Sequence, residues 1–367
     1  MIQIQKSFPL PDFAASCADP ETLYFDIETT GLSAHDSCLY LIGCCYYDGA
    51  ALQLIQWFSE SFEDEQNLLR AFSDKLRSFS RLVHFNGTGF DIPYLRTCAR
   101  QYHLSIPFSE VESLDLFPIA RRHKTLFQLP NCKQKSVERF FHLGREDAHS
   151  GGELIEQYEA YLATGNETLY QNLLLHNEED VRNLPMLHAC LNAYEISVPE
   201  ALHTEMVSSP VGISLVLTLP QTIPVPVQLE TSCGTLLLQD RLCTLSFPFY
   251  AGELRLFYPN YKDYYYLPEE DYAIHQKVAQ FVDKSHRKKA TASTCYTRHS
   301  GYFLPLPGAV TEPVFQMTPK KGPWYVLYAK ELVTPDELSE KEYSRVRDAL
   351  LAAADVLLSD CNLTVKK

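Results

Sequence analysis

The most informative part of the sequence is YFDIETTGL, residues 24–32, in which two carboxylates lie one residue apart within an apolar run. Successive side chains of a β-strand point to opposite faces, so Asp26 and Glu28 share one face of the predicted strand. Two close carboxylates inside a sheet repel each other unless a cation neutralises them. Divalent cations such as Mg²⁺ prefer oxygen ligands, which this pair supplies. A hydrogen-bonded polar pair at a strand end is the alternative interpretation.

Alternating strand and helix patterns surround this stretch. Three strand-like runs come first, at residues 22–28, 38–47 and 51–58. The dipeptide Asp48-Gly49 between the last two is typical of a hairpin turn. A fourth strand over residues 81–87 ends at a glycine, and helical patterns follow it. The order predicts an α/β fold, a mixed β-sheet with an antiparallel hairpin at its edge and helices around it.

The pattern changes near residue 200, where short alternating runs are separated by Pro or Gly. Such runs predict a β-rich unit, and residues 334–358 predict a terminal helix. We therefore expect an N-terminal arm over residues 1–20, an α/β domain over residues 21–197, and a β-rich α+β accessory domain over residues 198–367 that ends in a helix.

The net charge of −14 argues against a protein that is coated with basic surface for nucleic acid. This net charge does not exclude a protein that binds phosphates through a local basic surface. Residues 119–145 and 284–298 are two locally basic stretches. Residues 121–135 of the first could follow a phosphate backbone, and the second carries donor side chains of the types that contact phosphates. For the second stretch, a solvated loop is the alternative.

Three features bear on where the protein resides. The apolar runs are too short and too interrupted to span a bilayer. The first residues, MIQIQKSFPLPDF, lack the charge and apolar core of a secretory signal. The 11 cysteines form no Cys-x-x-Cys pair, so neither a zinc site nor a redox motif is indicated. We expect a protein of a reducing, cytoplasmic setting with no membrane association.

Three further residues could carry chemistry. Asp91 lies just after a predicted strand and at the start of a predicted helix, where an N-terminal helix cap is the alternative role. His176 and Asp180 are four residues apart on a predicted helix and share one face. A solvated helix face is the alternative for this pair.

Taken in order, these motifs resemble the DEDD exonuclease superfamily on a ribonuclease-H-like fold. TTGL after the first acids, FNGTGFDIPYL around Asp91 and HNEEDVRNLPML around Asp180 are similar to the motifs of that superfamily. The chain resembles most the YprB-like ribonuclease-H-like domain family, over residues 20–196. One departure concerns His176, which has three residues before Asp180, the spacing of superfamily members that carry tyrosine there.

The resemblance implies a metal-dependent 3′→5′ exonuclease that acts on the 3′ ends of single-stranded DNA or RNA. It implies two divalent cations, Mg²⁺ or Mn²⁺, bridged by Asp26. The implied metal ligands are Asp26, Glu28, Asp91 and Asp180. His176 would orient or deprotonate the attacking water. The residues implied to contact the substrate are Thr30, Gly31 and Leu32 at the last nucleotide, and Asn86 and Phe90 at its neighbour.

Two alternatives of other classes stay open. The chain could be a catalytically silent nucleic-acid-binding module that keeps the fold without turnover. It could also be a structural subunit of a repair or RNA-processing complex, with a protein partner bound through residues 198–367.

Overall fold

The computed structural model describes residues 1–15, 18–147, 149–319, 322–361 and 363, with the side chain of Phe62 left out. The chain divides into two compact units, Met1–Tyr194 and Glu195–Lys367. Each of the ten cysteines in the described part of the chain is a free thiol. Among the described helices, none is long and apolar enough to cross a membrane.

The first unit is built on a six-stranded sheet. Its strands are β1 (Ile2–Phe8), β2 (Thr22–Thr29), β3 (Leu39–Tyr47), β4 (Leu52–Phe58), β5 (Arg81–His84) and β6 (Glu112–Asp115). They lie in the order β1-β4-β3-β2-β5-β6. The pairs β1–β4, β4–β3 and β3–β2 are antiparallel, whereas β2–β5 and β5–β6 are parallel. The predicted mixed sheet with an antiparallel hairpin is therefore confirmed.

Helices cover both faces of this sheet. They are α1 (Asp12–Ala15), α2 (Glu65–Leu76), α3 (Asp91–Gln101), α4 (Leu116–Arg122), α5 (Gln134–Phe140), α6 (Gly151–Thr164) and α7 (Glu167–Asn192). Apolar residues of α2 and α3 form one core with Leu23, Phe25 and Ile27 of β2. The other core joins α6 and α7 to β3 and β4. The remaining side chains of β2 therefore face α7, because strand residues alternate between faces.

Residues 1–20 differ from the prediction of an arm. Their first seven residues after Met1 form β1, which pairs with β4 from Ile2↔Phe58 to Phe8↔Leu52. The segment IQIQ does alternate, as a strand with one exposed face should. The prolines that suggest an arm, Pro9 and Pro11, follow the strand and end it.

The second unit is β-rich, as predicted, and ends in a helix. Its strands are β7 (His203–Ser209), β8 (Gly212–Thr218), β9 (Val227–Glu230), β10 (Thr235–Gln239), β11 (Leu242–Pro248), β12 (Tyr250–Phe257), β13 (Tyr264–Leu267), β14 (Tyr272–His275), β15 (Lys288–Lys289), β16 (Tyr296–Leu306) and β17 (Trp324–Ala329). They form three sheets, in the orders β7-β8-β11-β10-β9, β12-β16-β17 and β14-β13-β15. Its helices are α8 (Gln276–Ala279) and α9 (Glu340–Asp360).

Candidate active site

Asp26 and Glu28 lie on the face of β2 that α7 covers. Two residues earlier on the same face, the Tyr24 hydroxyl lies 3.1 Å from Nδ1 of His188 in α7. Asp26 Oδ2 accepts a hydrogen bond from Asn177 Nδ2, also in α7, at 3.3 Å. The strand period predicted that both acids share a face, and the packing of α7 places that face against a helix that carries further polar groups.

Asp91 approaches the same strand from α3. Its carboxylate accepts hydrogen bonds from the backbone N–H of Ile27 and from its own N–H. The residue is 5% exposed, and this burial outweighs the hydrogen bonds and raises the pKa of Asp91 to about 7. The helix-capping position is taken by Phe90, with no side-chain capping bond at that end. Asp91 is therefore not the N-terminal cap of α3.

His176 and Asp180 lie one turn apart on α7 and face the acids of β2. His176 Nε2 lies 3.2 Å from Asp180 Oδ2 and 3.8 Å from Glu28 Oε1. One donor atom from each of Glu28, His176 and Asp180 falls within 4.8 Å of the others. The structure thus brings together a group that was spread over more than a hundred residues of sequence.

Burial and mutual repulsion disfavour charge on the acids of β2. Burial raises the pKa of Asp26, and the carboxylates of Asp91, Glu28 and Asp180 raise it further. Burial also raises the pKa of Glu28, with Asp180 and Asp91 adding to the effect. Glu28 Oε1 is buried without a hydrogen-bond donor among the described residues. A divalent cation would supply the missing positive charge, so this oxygen-rich group fits such an ion.

A glycine lets α7 come close to the sheet. Gly43 of β3 lies opposite Asp26 on one side and opposite Gln56 of β4 on the other. A Cβ at residue 43 would collide with the side-chain amide of Asn177. That amide instead bridges the sheet, since its oxygen accepts from Gln56 Nε2 at 3.0 Å while its nitrogen bonds Asp26. Sequence reasoning missed this arrangement, although a glycine inside a buried strand indicates a close approach.

Asp147, in the loop between α5 and α6, was also missed. Its Oδ2 accepts from His176 Nδ1 at 2.7 Å and from Lys135 Nζ at 2.6 Å. Although burial opposes ionisation, the hydrogen bonds from Lys135, the backbone of His149 and His176 lower the pKa of Asp147 to about 2. Asp147 is therefore ionised, and its carboxylate fixes the His176 ring by accepting the hydrogen bond from Nδ1.

Arg145 introduces a cation into the acid cluster. Its Nη1 lies 2.5 Å from Asp180 Oδ1 and 2.8 Å from Glu138 Oε2. Its other nitrogens lie 3.5 Å from Asp147 Oδ2 and 3.6 Å from Glu179 Oε2. Burial opposes its charge, but the carboxylates of Asp180 and Glu138 prevail and raise the pKa of Arg145. In the sequence Arg145 stands out only as the last residue of a locally basic stretch, and here it neutralises buried acids.

A cleft of about 460 Å³ opens beside the acids. Its walls are formed by Asp26, Phe85, Asn86, Phe117, Cys132, Lys133, Gln134 and Asp180. The rings of Phe85 and Phe117 meet edge to face, with centroids 5.9 Å apart. Asp115 shapes this wall, because its carboxylate accepts from the backbone N–H of Asn86 at 2.8 Å and caps α4 through Phe117 N–H at 3.0 Å.

The residues predicted to contact the substrate fall into two groups. Asn86 lies in the cleft wall, with a left-handed backbone at φ 65°. Phe90 instead packs against the core of α2 and α3, where its ring lies 5.6 Å from that of Tyr94. Thr30 Oγ1 accepts from the N–H of Cys38 at 2.9 Å, which fixes the turn after β2.

The turn after β2 also carries the other two predicted contacts. The backbone oxygen of Gly31 accepts from Thr29 Oγ1 at 2.8 Å and from Ser37 Oγ at 3.1 Å. The side chain of Leu32 is 89% exposed. An apolar side chain this exposed, four residues beyond Glu28, is accessible to a ligand.

Comparison with known proteins shows what the first unit is similar to. Residues 23–192 match a family model of the RNase_H superfamily. Curated proteins provide no match to the chain. The matched residues begin in β2 and end with α7, so they contain all the elements that carry the acids. The first unit therefore has an RNase H-like fold.

Several solved structures are similar to the chain at low identity. One is the family B DNA polymerase of the hyperthermophilic archaeon Pyrobaculum calidifontis, at 17% identity and a TM-score of 0.38, covering 64% of this chain and 33% of the polymerase chain. A product-bound exonuclease I shares 12% identity at a TM-score of 0.28, covering 61% of this chain and 62% of its own. The E. coli Exonuclease I complex with a dT13 oligonucleotide shares 14% identity at a TM-score of 0.28, covering 56% of this chain and 54% of the exonuclease chain. The chain thus spans less than two thirds of each of these proteins.

Proposed function

We propose that this RNase H-like domain is a metal-dependent 3′→5′ exonuclease that hydrolyses single-stranded DNA or RNA. The observation that carries the proposal is the convergence of acids from β2, α3 and α7 at one cleft, with the pKa values of Asp26, Glu28 and Asp91 all raised by burial. A protein keeps such a costly cluster where a cation is to be bound.

Two divalent ions, Mg²⁺ or Mn²⁺, would be held by Asp26, Glu28, Asp91 and Asp180. When bound, such ions activate a water molecule and stabilise the leaving oxygen of the phosphodiester. The protein's own part is to bring the carboxylates together, to keep them out of bulk water and to place the scissile phosphate beside them.

The cleft supplies contacts for the nucleotides. Phe85 and Phe117 present half-buried rings, on which bases can stack without regard to sequence. Lys133, in the same wall, offers an ammonium group to a backbone phosphate. Thr30, Gly31 and the exposed Leu32 would meet the terminal nucleotide at the other side of the acids. This division of contacts suits an unpaired strand end.

The test uses the purified chain with single-stranded DNA and RNA labelled at either end, in Mg²⁺, Mn²⁺ or chelator. We expect ladders that shorten from the 3′ end, only when metal is present, and their loss in Asp26→Asn and Asp180→Asn. Asp74→Asn, at an exposed site of α2, is the matched control and should cleave normally. Cleavage that persists in both site variants, or in chelator, would contradict the proposal.

One observation favours a second candidate function. Arg145 already neutralises Asp180, a proposed metal ligand, through an ion pair of 2.5 Å. A chain in which this pair is never released would bind single strands without cleaving them. Oligonucleotide binding without cleavage in any metal, unchanged by Asp26→Asn, would identify such a silent binding module.

A further inference from the structure

We propose that His176 is a ligand of the metal ion that Glu28 and Asp180 hold, and that Asp147 positions its ring for this purpose. The inference rests on the proposed function, because it concerns the same metal centre. It changes the role of the histidine, which the superfamily resemblance assigns to the attacking water.

The distances suit one shared ion. Two donors that each lie about 2.1 Å from a metal are roughly 3 to 4 Å apart, depending on the angle between them. Nε2 of His176 lies 3.2 Å from Asp180 Oδ2 and 3.8 Å from Glu28 Oε1. One donor atom of each of the three residues lies within 4.8 Å of a donor atom of the other two. A single ion can therefore contact all three with small side-chain adjustments.

The ring is already turned for ligation. Asp147 Oδ2 lies 2.7 Å from Nδ1, and its side chain is 1% exposed. Lys135 and Arg145, which flank Asp147, keep it an acceptor, so Nδ1 carries the hydrogen of this bond. In the neutral ring the lone pair then sits on Nε2 and points at the two acids. A carboxylate that fixes a histidine through its outer nitrogen is the usual support of a histidine ligand.

A general base needs something different. Its nitrogen must face a water molecule that lies between it and the reacting phosphate. Here both neighbours of Nε2 are carboxylates, and one of them, Glu28 Oε1, is buried without a hydrogen bond among the described residues. A cation between these groups satisfies all three donors, whereas a water molecule cannot relieve the repulsion between the acids.

The chemical consequence is a preference among metals. Carboxylates suit both Mg²⁺ and Mn²⁺, whereas an imidazole nitrogen suits transition metals better than Mg²⁺. A centre with Glu28, Asp180 and His176 should therefore bind Mn²⁺ more tightly than Mg²⁺, and its Mn²⁺ should be bonded directly to nitrogen.

The experiment measures bound Mn²⁺ in the full chain by pulsed electron paramagnetic resonance and by calorimetry. We expect ¹⁴N modulation from a directly bonded histidine, replaced by ¹⁵N modulation when the protein contains ¹⁵N-histidine. His176→Gln should lose the modulation and bind Mn²⁺ more weakly. Asp147→Asn should keep the modulation while its Mn²⁺ affinity falls about 10–100-fold. His188→Gln, on the same helix but bonded to Tyr24, is the matched control and should behave as wild type.

The outcomes separate this inference from the proposed function. Bound Mn²⁺ without nitrogen modulation, with normal affinity in His176→Gln but slow cleavage, would make the histidine a base and overturn the inference while the nuclease stands. Failure of the wild-type chain to bind Mn²⁺ at all would overturn both. Should His176→Gln not fold, the wild-type isotope comparison decides alone.

Discussion

At the scale of single residues, the charge state of Asp91 is set by burial. Its pKa is raised from 3.8 to about 7 in the folded chain. Between these values the folded state binds more protons than the unfolded state, so the free energy of unfolding must fall as the pH rises. The shift corresponds to a few kcal/mol, on the order of 1.4 kcal/mol per pKa unit.

We therefore expect Asp91 to cost the metal-free protein stability between about pH 4 and pH 7, and the raised pKa values of Asp26 and Glu28 to add to the loss. Chemical denaturation in chelator at several pH values measures this. Asp91→Asn, which keeps the shape and removes the titrating group, should flatten part of the slope. Parallel curves for the two proteins would show that Asp91 does not titrate in this window.

A second residue-scale prediction concerns Arg145, whose side chain is 9% exposed and faces four acids. Its removal leaves buried carboxylates without their cation, and breaking a buried ion pair typically costs about 3–5 kcal/mol. Arg145→Gln should thus melt well below wild type in chelator and regain part of the loss in Mn²⁺.

Arg139→Gln, at an exposed position of α5, is the control for this substitution and should melt as wild type. Equal melting temperatures for Arg145→Gln and Arg139→Gln in chelator would show that the acids do not depend on the guanidinium.

The residue scale also shows what local sequence can and cannot reveal. The shared face of Asp26 and Glu28 follows from the strand period, and that of His176 and Asp180 follows from the helix period. Asp147 and Arg145 reach α7 across 29 and 35 residues of chain, from a loop without periodicity. No local pattern could have paired them with the site.

At the scale of elements, the fit of α7 against the sheet depends on Gly43. Gly43→Ala would place a methyl group where the Asn177 amide lies and would push the helix outward. Because α7 carries His176 and Asp180, both stability and metal binding should suffer. We expect a lower melting temperature together with weaker Mn²⁺ binding by calorimetry.

Gly144→Ala serves as the matched control, since a Cβ at residue 144 meets no atom within 4 Å. A Gly43→Ala protein that binds Mn²⁺ like the Gly144→Ala protein would show that the helix can shift without disturbing the acids.

Element boundaries were predictable where the turn chemistry was plain. Gly49, at φ 98°, closes the β3–β4 hairpin as the Asp-Gly pair indicates. β1 was missed because prolines follow it and because an edge strand exposes half of its residues. The approach of α7 to β3 is a tertiary contact, and Gly43 inside β3 is the one feature of the sequence that indicates it.

At the scale of the whole molecule, the chain has two compact units, Met1–Tyr194 and Glu195–Lys367. Every acid of the candidate site lies in the first. We expect a fragment of residues 1–194 to bind Mn²⁺ as the full chain does, by calorimetry, and a fragment of residues 195–367 to show β-rich circular dichroism without Mn²⁺ binding. Metal binding that requires both fragments would contradict this.

The role of the second unit can be tested with the same fragment. Lys289 and Arg287 lie over the ring of Tyr265, at 4.3 and 4.9 Å, while Arg298 faces Glu253 and Asp271. The predicted basic stretch is thus partly engaged within the unit. Binding of single strands that weakens with salt would make it a substrate grip, and capture of a protein partner would make it a docking unit.

The β-rich composition of this unit was predictable, whereas its strand order was not. β12 pairs with β16, about forty residues later, and α9 follows the last strand. Such long-range pairings depend on packing that alternation along the sequence does not encode.

The cleft wall contains a thiol, and this has a practical consequence. Of the described cysteines, Cys38, Cys132 and Cys361 are half-buried and the others are buried. Burial raises the pKa of the Cys38 and Cys361 thiols, which makes both poor nucleophiles. Among the described cysteines, a maleimide dye should therefore favour Cys132, beside the acids. A fluorescent dye on Cys132 would report binding at the cleft, because its brightness would change as an unlabelled oligonucleotide binds.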